Sequence, residues 1–349
     1  MSDWKWVDQH IEVKPPKRPK KLTATRFAAV LGLNPWASPF ETWCAVTRVY
    51  EKPYEDTIYT AAGKAIEPKQ IAYMRESYLM DNLRTPTDIY GPDYFNKTYG
   101  DFFPSDKVLG GMWDSLLMDE QGKPSTVLEF KTTKRAEDWA DDIPEYYALQ
   151  AALYAYLLGV DDVIMVASFL DTKDYEHPDL FIPSVQNTIT RSFKVSQRYP
   201  RFGDLVKRAL AWWEQTVKTG ISPDFDEKRD AEILKALRSS TVSPDEDVAA
   251  LVAEAETLKR QLDDNSKTIK ATQDRLTAIT DKLKEIAKGQ FKDGDTEVLI
   301  PGSRYVWKMT RSMSQKLDEK KLKEDGIYQK YLKAPEPSYR MTVTEKKEV

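Results

Sequence analysis

Asp114, Glu129 and Lys131 are the residues of this 349-residue chain whose types and spacing can do chemistry: two carboxylates to hold a divalent cation and an ammonium group beside them. The apolar stretches 110–118 and 126–132 flank a loop punctuated by Gly122 and Pro124, the pattern of a β-hairpin. Folding about Gly122 sets Asp114 nearly opposite Glu129. Side chains alternate along a strand, so Glu129 and Lys131 share one face while Phe130 turns the other way, toward the core. Facing carboxylates repel across strands, and a cation between them makes the arrangement tolerable. Oxygen-only ligands favour Mg²⁺ or Mn²⁺. Beside such an ion, Lys131 could hold or help deprotonate an attacking water and offset charge on a phosphate. The same tripeptide also fits the solvated face of a half-buried strand.

Three further blocks must position these groups. Residues 144–159 read as an amphipathic helix, with Pro144 near its start and Gly159 at its stop. Gln150 and Tyr154, one turn apart, share a face. Packed behind the hairpin, this helix would let Gln150 hydrogen-bond a phosphate or a metal-bound water, flanked by Tyr147 and Tyr154; alternatively the tyrosines and leucines are core and Gln150 is surface. Upstream, Thr23 or Thr25 can cap a short helix that ends at Gly32, leading into Leu33-Asn34-Pro35-Trp36. In the helix-like segment 61–68, Glu67 is a lone carboxylate among apolar residues.

The order of these blocks resembles the YqaJ-type viral recombinase family, relatives of phage lambda exonuclease within the PD-(D/E)XK nuclease superfamily. A Thr-Ala-Thr segment leads to an LGLNPW turn, a Gly…Glu helix, an Asp strand, an E-x-K strand and a Gln helix, all in order across residues 22 to 158. The PD dipeptide is replaced by Trp113-Asp114, which leaves the ligand in place. The resemblance implies an α/β fold: a PD-(D/E)XK core with a mixed central sheet flanked by helices. It further implies catalytic roles for Asp114, Glu129 and Lys131, and a metal site of Glu67, Asp114, Glu129 and the backbone carbonyl of Phe130. Arg18 and Thr25 fall where the family contacts the DNA terminal phosphate, and Gln150 and Tyr154, on the helix near the active site, are implied to bind DNA or phosphate with them. The implied activity is Mg²⁺-dependent hydrolysis of linear double-stranded DNA, 5′-to-3′, leaving 3′ overhangs. The implied partners are duplex DNA ends, a phage-type single-strand annealing protein and further copies of the chain, in a ring-shaped trimer in minimal relatives. The setting it implies is a phage-infected or prophage-carrying bacterial cell. Two other readings stay open: an endonuclease of the same fold, and a non-catalytic DNA-binding or assembly protein built on it.

Composition narrows the chemistry. A single cysteine, Cys44, excludes an intramolecular disulfide framework and a four-cysteine iron–sulfur cluster, and two histidines argue against histidine-built zinc sites. No apolar run approaches membrane-spanning length, and the N-terminus lacks a signal-peptide core, so an intracellular, cytoplasmic protein with no membrane association is expected. The net charge of −4 hides a strongly basic stretch from Lys14 to Arg26, which reads either as a phosphate-attracting patch or as a solvated arm.

Beyond the Gln helix, Val163–Leu170 reads as a buried strand, Ile189–Val195 as another, and Phe202–Gly220 as a closing helix whose Trp212 and Trp213 suit core or interface better than base stacking. The expected nuclease core is therefore residues 1–238. Residues 239–290 form a helical heptad arm. Its apolar series Leu251, Ala255, Leu258, Leu262, Ile269, Leu276, Ile279, Leu283 and Ile286 steps by three and four once Asn265 and Thr272 are included. The arm suits an intermolecular coiled coil, or a hairpin bent near residues 263–266 that packs on itself or on a neighbour. Residues 291–349 read as a small α+β module: strands near 296–300, 305–309 and 339–343, and a charged helix near Asp318–Glu324. DNA binding, partner docking and simple packing on the arm are all open to it.

Overall fold

The computed structural model describes residues 4–53, 55–241, 245–264, 269–314 and 336–345. It divides into two compact units, 1–230 and 231–349.

In chain order the first unit opens with strands β1 (Trp4–Val7), β2 (His10–Val13) and β3 (Leu22–Thr23) and helices α1 (Ala24–Val30), α2 (Pro39–Thr47) and α3 (Ile58–Ser77). Next come β4 (Leu83–Arg84), α4 (Pro86–Tyr90), α5 (Tyr94–Thr98), β5 (Leu109–Gly110), β6 (Ser115–Met118) and β7 (Pro124–Thr133). After a 3₁₀ turn at Ala136–Trp139, α6 (Glu145–Leu158), β8 (Asp162–Phe169), α7 (Thr172–Glu176), β9 (Thr188–Lys194), α8 (Val195–Arg198) and α9 (Phe202–Trp212) complete the unit, and α9 ends in a π-helical turn, Trp213–Val217.

The central sheet has the order β4-β6-β7-β8-β9, with β7 and β8 parallel and every other pair antiparallel, so it is mixed. A parallel pair needs a crossover, and α6 supplies it. β7 reads Val-Leu-Glu-Phe-Lys because it lies in mid-sheet with both faces covered. Leu128 and Phe130 pack with Ile71 and Met74 of α3, while α6 covers the opposite face. Helix α6 is held between Pro144 at its N-cap and Gly159, in the left-handed conformation, at its C-cap. Its central residues, 148 to 155, are all buried, as expected of a helix packed against both the sheet and α1.

In the second unit, α10 (Ala231–Leu237) and β10 (Ser239–Thr241) lead to α11 (Glu246–Asp264), α12 (Ile269–Lys288), β11 (Glu297–Pro301), β12 (Tyr305–Ser314) and β13 (Glu336–Glu345). The heptad series forms two helices that pack on each other: Val248, Val252 and Ala255 of α11 share a core with Ile279, Leu283 and Ala287 of α12, and Arg275 pairs with Glu254 at 2.9 Å. Of the two arrangements open to the sequence, this is the folded-back hairpin. The same core takes in Val298, Ile300, Tyr305, Trp307 and Met309, so the arm and the C-terminal module are one packed body, with sheet order β10-β11-β12-β13. The expected helix at 318–324, and Asn265 of the heptad seam, lie outside the described residues.

Candidate active site

Strand register brings the carboxylates together. Ser115 pairs with Leu128 across β6 and β7, so Asp114, one residue before β6, stands opposite Glu129. Asp114 is fixed from behind: its Oδ2 accepts from the backbone N–H of Phe130 at 2.8 Å, and the preceding Trp113 is buried against Phe102, 4.7 Å between ring centroids. Glu129 is 1% exposed. Its Oε1 accepts from Lys131 Nζ at 3.1 Å and from Gln150 Nε2 at 2.8 Å, whereas its Oε2, also buried, has no hydrogen-bond partner. A buried carboxylate oxygen without a partner is costly unless a cation reaches it.

The charges act on one another. Burial pushes Glu129 well above the ordinary carboxylate range and Asp114 adds to the push, with Lys131 opposing both. Burial likewise pushes Glu67, on α3, up to about 7; Asp114 again adds and Lys131 again opposes. For Lys131, burial alone would pull the ammonium down, but Glu129, Asp114 and Tyr147 outweigh it and hold the pKa above the ordinary lysine value. Its Nζ also lies 5.2 Å from the centroid of the Tyr147 ring. Glu67, Asp114, Glu129 and Lys131 therefore form one electrostatic cluster, as the chain order suggests.

The donor set suits a hard divalent cation: Glu67 and Glu129, both pushed upward by burial and by Asp114, and one orphaned buried oxygen. As the side chains stand, no group of three or more His, Cys, Asp or Glu among the described residues is placed to hold a metal ion.

Gln150, expected to bind DNA or phosphate, is instead buried and donates to Glu129. Tyr154 departs from the same expectation: at 1% exposure it presents no surface to DNA. Its ring is stacked near Phe103, and burial pushes its hydroxyl well above the ordinary tyrosine range. The close fit requires Gly111, whose φ is +131° and where a Cβ would stand 3.0 Å from the Tyr154 ring. Gln70, which the sequence reading passed over, donates to the carbonyl of Lys131 at 3.0 Å and to Ser168 at 2.9 Å, bracing β7 from α3. Its place one turn beyond Glu67 was the available signal.

Beside this centre lies a cleft of about 510 Å³ lined by Lys20, Lys21, Thr23, Arg26, Tyr99 and Gly111, among others. The short parallel pairing of β3 with β5, Thr23 opposite Gly110, carries the basic N-terminal segment to it. Lys20 and Arg26 both pair with Glu51, and Lys21 with Asp101. Thr25 is exposed and its hydroxyl lies 2.8 Å from that of Thr23; Arg18 is exposed and is not among the residues that line the cleft. The cations that line the cleft are thus Lys20, Lys21 and Arg26, later in the basic run than Arg18.

No described helix is long and apolar enough to cross a membrane. Residues 15–161 match the YqaJ-like viral recombinase domain. The chain is 30% identical over 248 residues to the uncharacterised protein MG373 of Mycoplasma genitalium, spanning 60% of this chain and 84% of that one. It is 22% identical over 331 residues to the uncharacterised YqaJ of Bacillus subtilis, spanning 91% and 89%. Among solved structures, the alkaline exonuclease LHK-Exo of Laribacter hongkongensis aligns over 62% of this chain and 96% of its own, at 17% identity and a TM-score of 0.37. A phage-related exonuclease of Haemophilus somnus aligns over 57% and 96%, at 13% identity and a TM-score of 0.39. By its motif order, its matched domain and its relatives, the chain belongs to the YqaJ-like viral recombinase family.

Proposed function

We propose that this protein is a metal-dependent DNA exonuclease that degrades one strand of linear duplex, 5′-to-3′, and leaves a 3′ overhang for strand annealing. The observation that carries the reading is Glu129: a buried carboxylate facing Asp114, oriented by Gln150 and Lys131, with one oxygen left without a partner.

Glu67, Asp114, Glu129 and the Phe130 carbonyl would hold Mg²⁺, with Mn²⁺ able to replace it. Bound there, the ion supplies Lewis-acid polarisation of a phosphoryl oxygen. The chain's own residues do the rest. Gln150 fixes the Glu129 carboxylate, and the Phe130 N–H fixes that of Asp114, so neither needs to reorganise as charge develops. Lys131, held as an ammonium, donates to the attacking water and offsets charge gathering on the phosphate. The cations of the adjoining cleft hold the terminal phosphate, supported by Thr23 and Thr25, and Arg18 meets the duplex on its approach. Further copies of the chain and a single-strand annealing protein complete the assembly.

Nucleotide release from linear duplex labelled at one 5′ or one 3′ terminus, with and without Mg²⁺, tests this. Mg²⁺-dependent release from the 5′ label first is expected. Cleavage of closed circular duplex at the same rate would replace the exonuclease by an endonuclease, and no cleavage of any DNA would leave a binding or assembly role.

A further inference from the structure

Tyr99 is placed where stability gains nothing from it. Its side chain is 94% exposed, and its backbone is left-handed, with φ of 53° and ψ of 33°, at the C-cap of α5. That position ordinarily goes to Gly or Asn, because a Cβ is strained there, and a bulky aromatic is an outlier. Strain of this kind concentrates at functional sites. The conformation is held firmly: Tyr99 N–H donates to Asn96 at 3.2 Å, the Gly100 N–H to Phe95 at 2.9 Å and the Asp101 N–H to Thr98 at 3.1 Å. Asp101 then accepts from Gly111 N–H at 3.0 Å and from Lys21, tying the turn to the strand that leads into Asp114.

Tyr99 is also among the residues that line the cleft holding Lys20, Lys21 and Arg26. At about 510 Å³ the cleft falls within the roughly 300–1,000 Å³ usual for small-ligand sites, large enough for one nucleotide. Cations that attract phosphate beside an exposed aromatic ring are the two parts of a single-strand nucleotide site, the ring accepting any base on its face. We propose that Tyr99 stacks on the base of the nucleotide whose phosphate enters this cleft, so that the protein reads an unpaired or fraying terminal nucleotide of DNA. This rests on the nuclease reading above and names the part of its substrate that the cleft takes.

The test uses the full chain in EDTA with a 5′-phosphorylated duplex carrying 2-aminopurine at the 5′-terminal nucleotide, following anisotropy for binding and 2-aminopurine fluorescence for stacking. Wild type and Tyr99→Phe should bind and quench the terminal probe about equally. Tyr99→Ala and Tyr99→Asn should lose the quenching and bind about tenfold more weakly, within the range that base stacking contributes. A probe placed deep in the duplex should not distinguish the four proteins. Tyr99→Asn should also melt at a higher temperature than wild type, since Asn tolerates the left-handed backbone, which separates a lost ligand contact from a damaged fold. Binding with equal quenching by all four proteins would overturn the role of Tyr99 and leave the nuclease reading standing. If wild type binds no DNA end, both fall.

Discussion

At the scale of single residues, the cluster owes its character to burial. Glu129 sits at 1% exposure with a charged neighbour on each side, a situation that proteins seldom maintain for stability alone. Lys131→Ala should lower the cleavage rate by at least about 10²-fold, the usual loss for one preorganised electrostatic donor, with duplex binding by anisotropy nearly unchanged. Cleavage at the wild-type rate would remove Lys131 from the chemistry. Glu67→Ala should raise the Mg²⁺ concentration for half-maximal activity by about 10- to 100-fold, the range seen when groups around a metal are lost. An unchanged Mg²⁺ titration would exclude it from the site. These residues were legible because strand alternation alone puts Glu129 and Lys131 on one face. Tyr154 was misplaced for an equally simple reason: helical spacing shows that it shares a face with Gln150, but not that this face is sealed by the sheet.

At the scale of elements, the site depends on one tight packing. Gly111, three residues before Asp114, lies under the Tyr154 ring, which packs one helical turn from Gln150, and Gln150 orients Glu129. Gly111→Ala adds a methyl 3.0 Å from that ring on a backbone with φ of +131°, so it should cost about 1–3 kcal/mol of stability. The displaced Gln150 should lower turnover further, by up to about 10²-fold, with little change in DNA affinity. A melting temperature and turnover both matching wild type would show that the glycine is not the spacer. The E-x-K strand, the Gln helix and its caps could be read in advance because each is a local pattern. The cleft could not: it is assembled by the two-residue strands β3 and β5, far apart in the chain and too short to leave a periodic signal. The basic run from Lys14 to Arg26 was visible, but which of its cations would face the cleft depended on that pairing.

At the scale of the whole molecule, the chain carries two separately packed cores, so its unfolding need not be a single cooperative step. The second unit reports on itself through Trp307, its one tryptophan, which is 1% exposed. Its arm and sheet are joined by Glu256 of α11. The carboxylate accepts from Ser303 Oγ at 2.5 Å and from the Arg304 N–H at 3.1 Å, capping the turn between β11 and β12 where a Cβ on Gly302 would overlap it. Burial raises the pKa of Glu256, but the hydrogen bonds from Ser303 and from the backbone at 304 and 305 outweigh it and hold the group below the ordinary glutamate value. A carboxylate whose pKa is lower folded than unfolded stabilises the native state above its unfolded pKa, and the gain drains away as pH falls through the folded one. Glu256→Gln should therefore destabilise the second unit by about 1–3 kcal/mol at neutral pH, the loss of hydrogen bonds to a charged group. The gap between variant and wild type should narrow as the pH is taken below the ordinary glutamate range. Thermal melts followed at Trp307, in a background where the tryptophans of residues 1–230 are replaced by phenylalanine, would measure it. A gap that stays constant with pH would mean that Glu256 holds the turn by shape and not by charge.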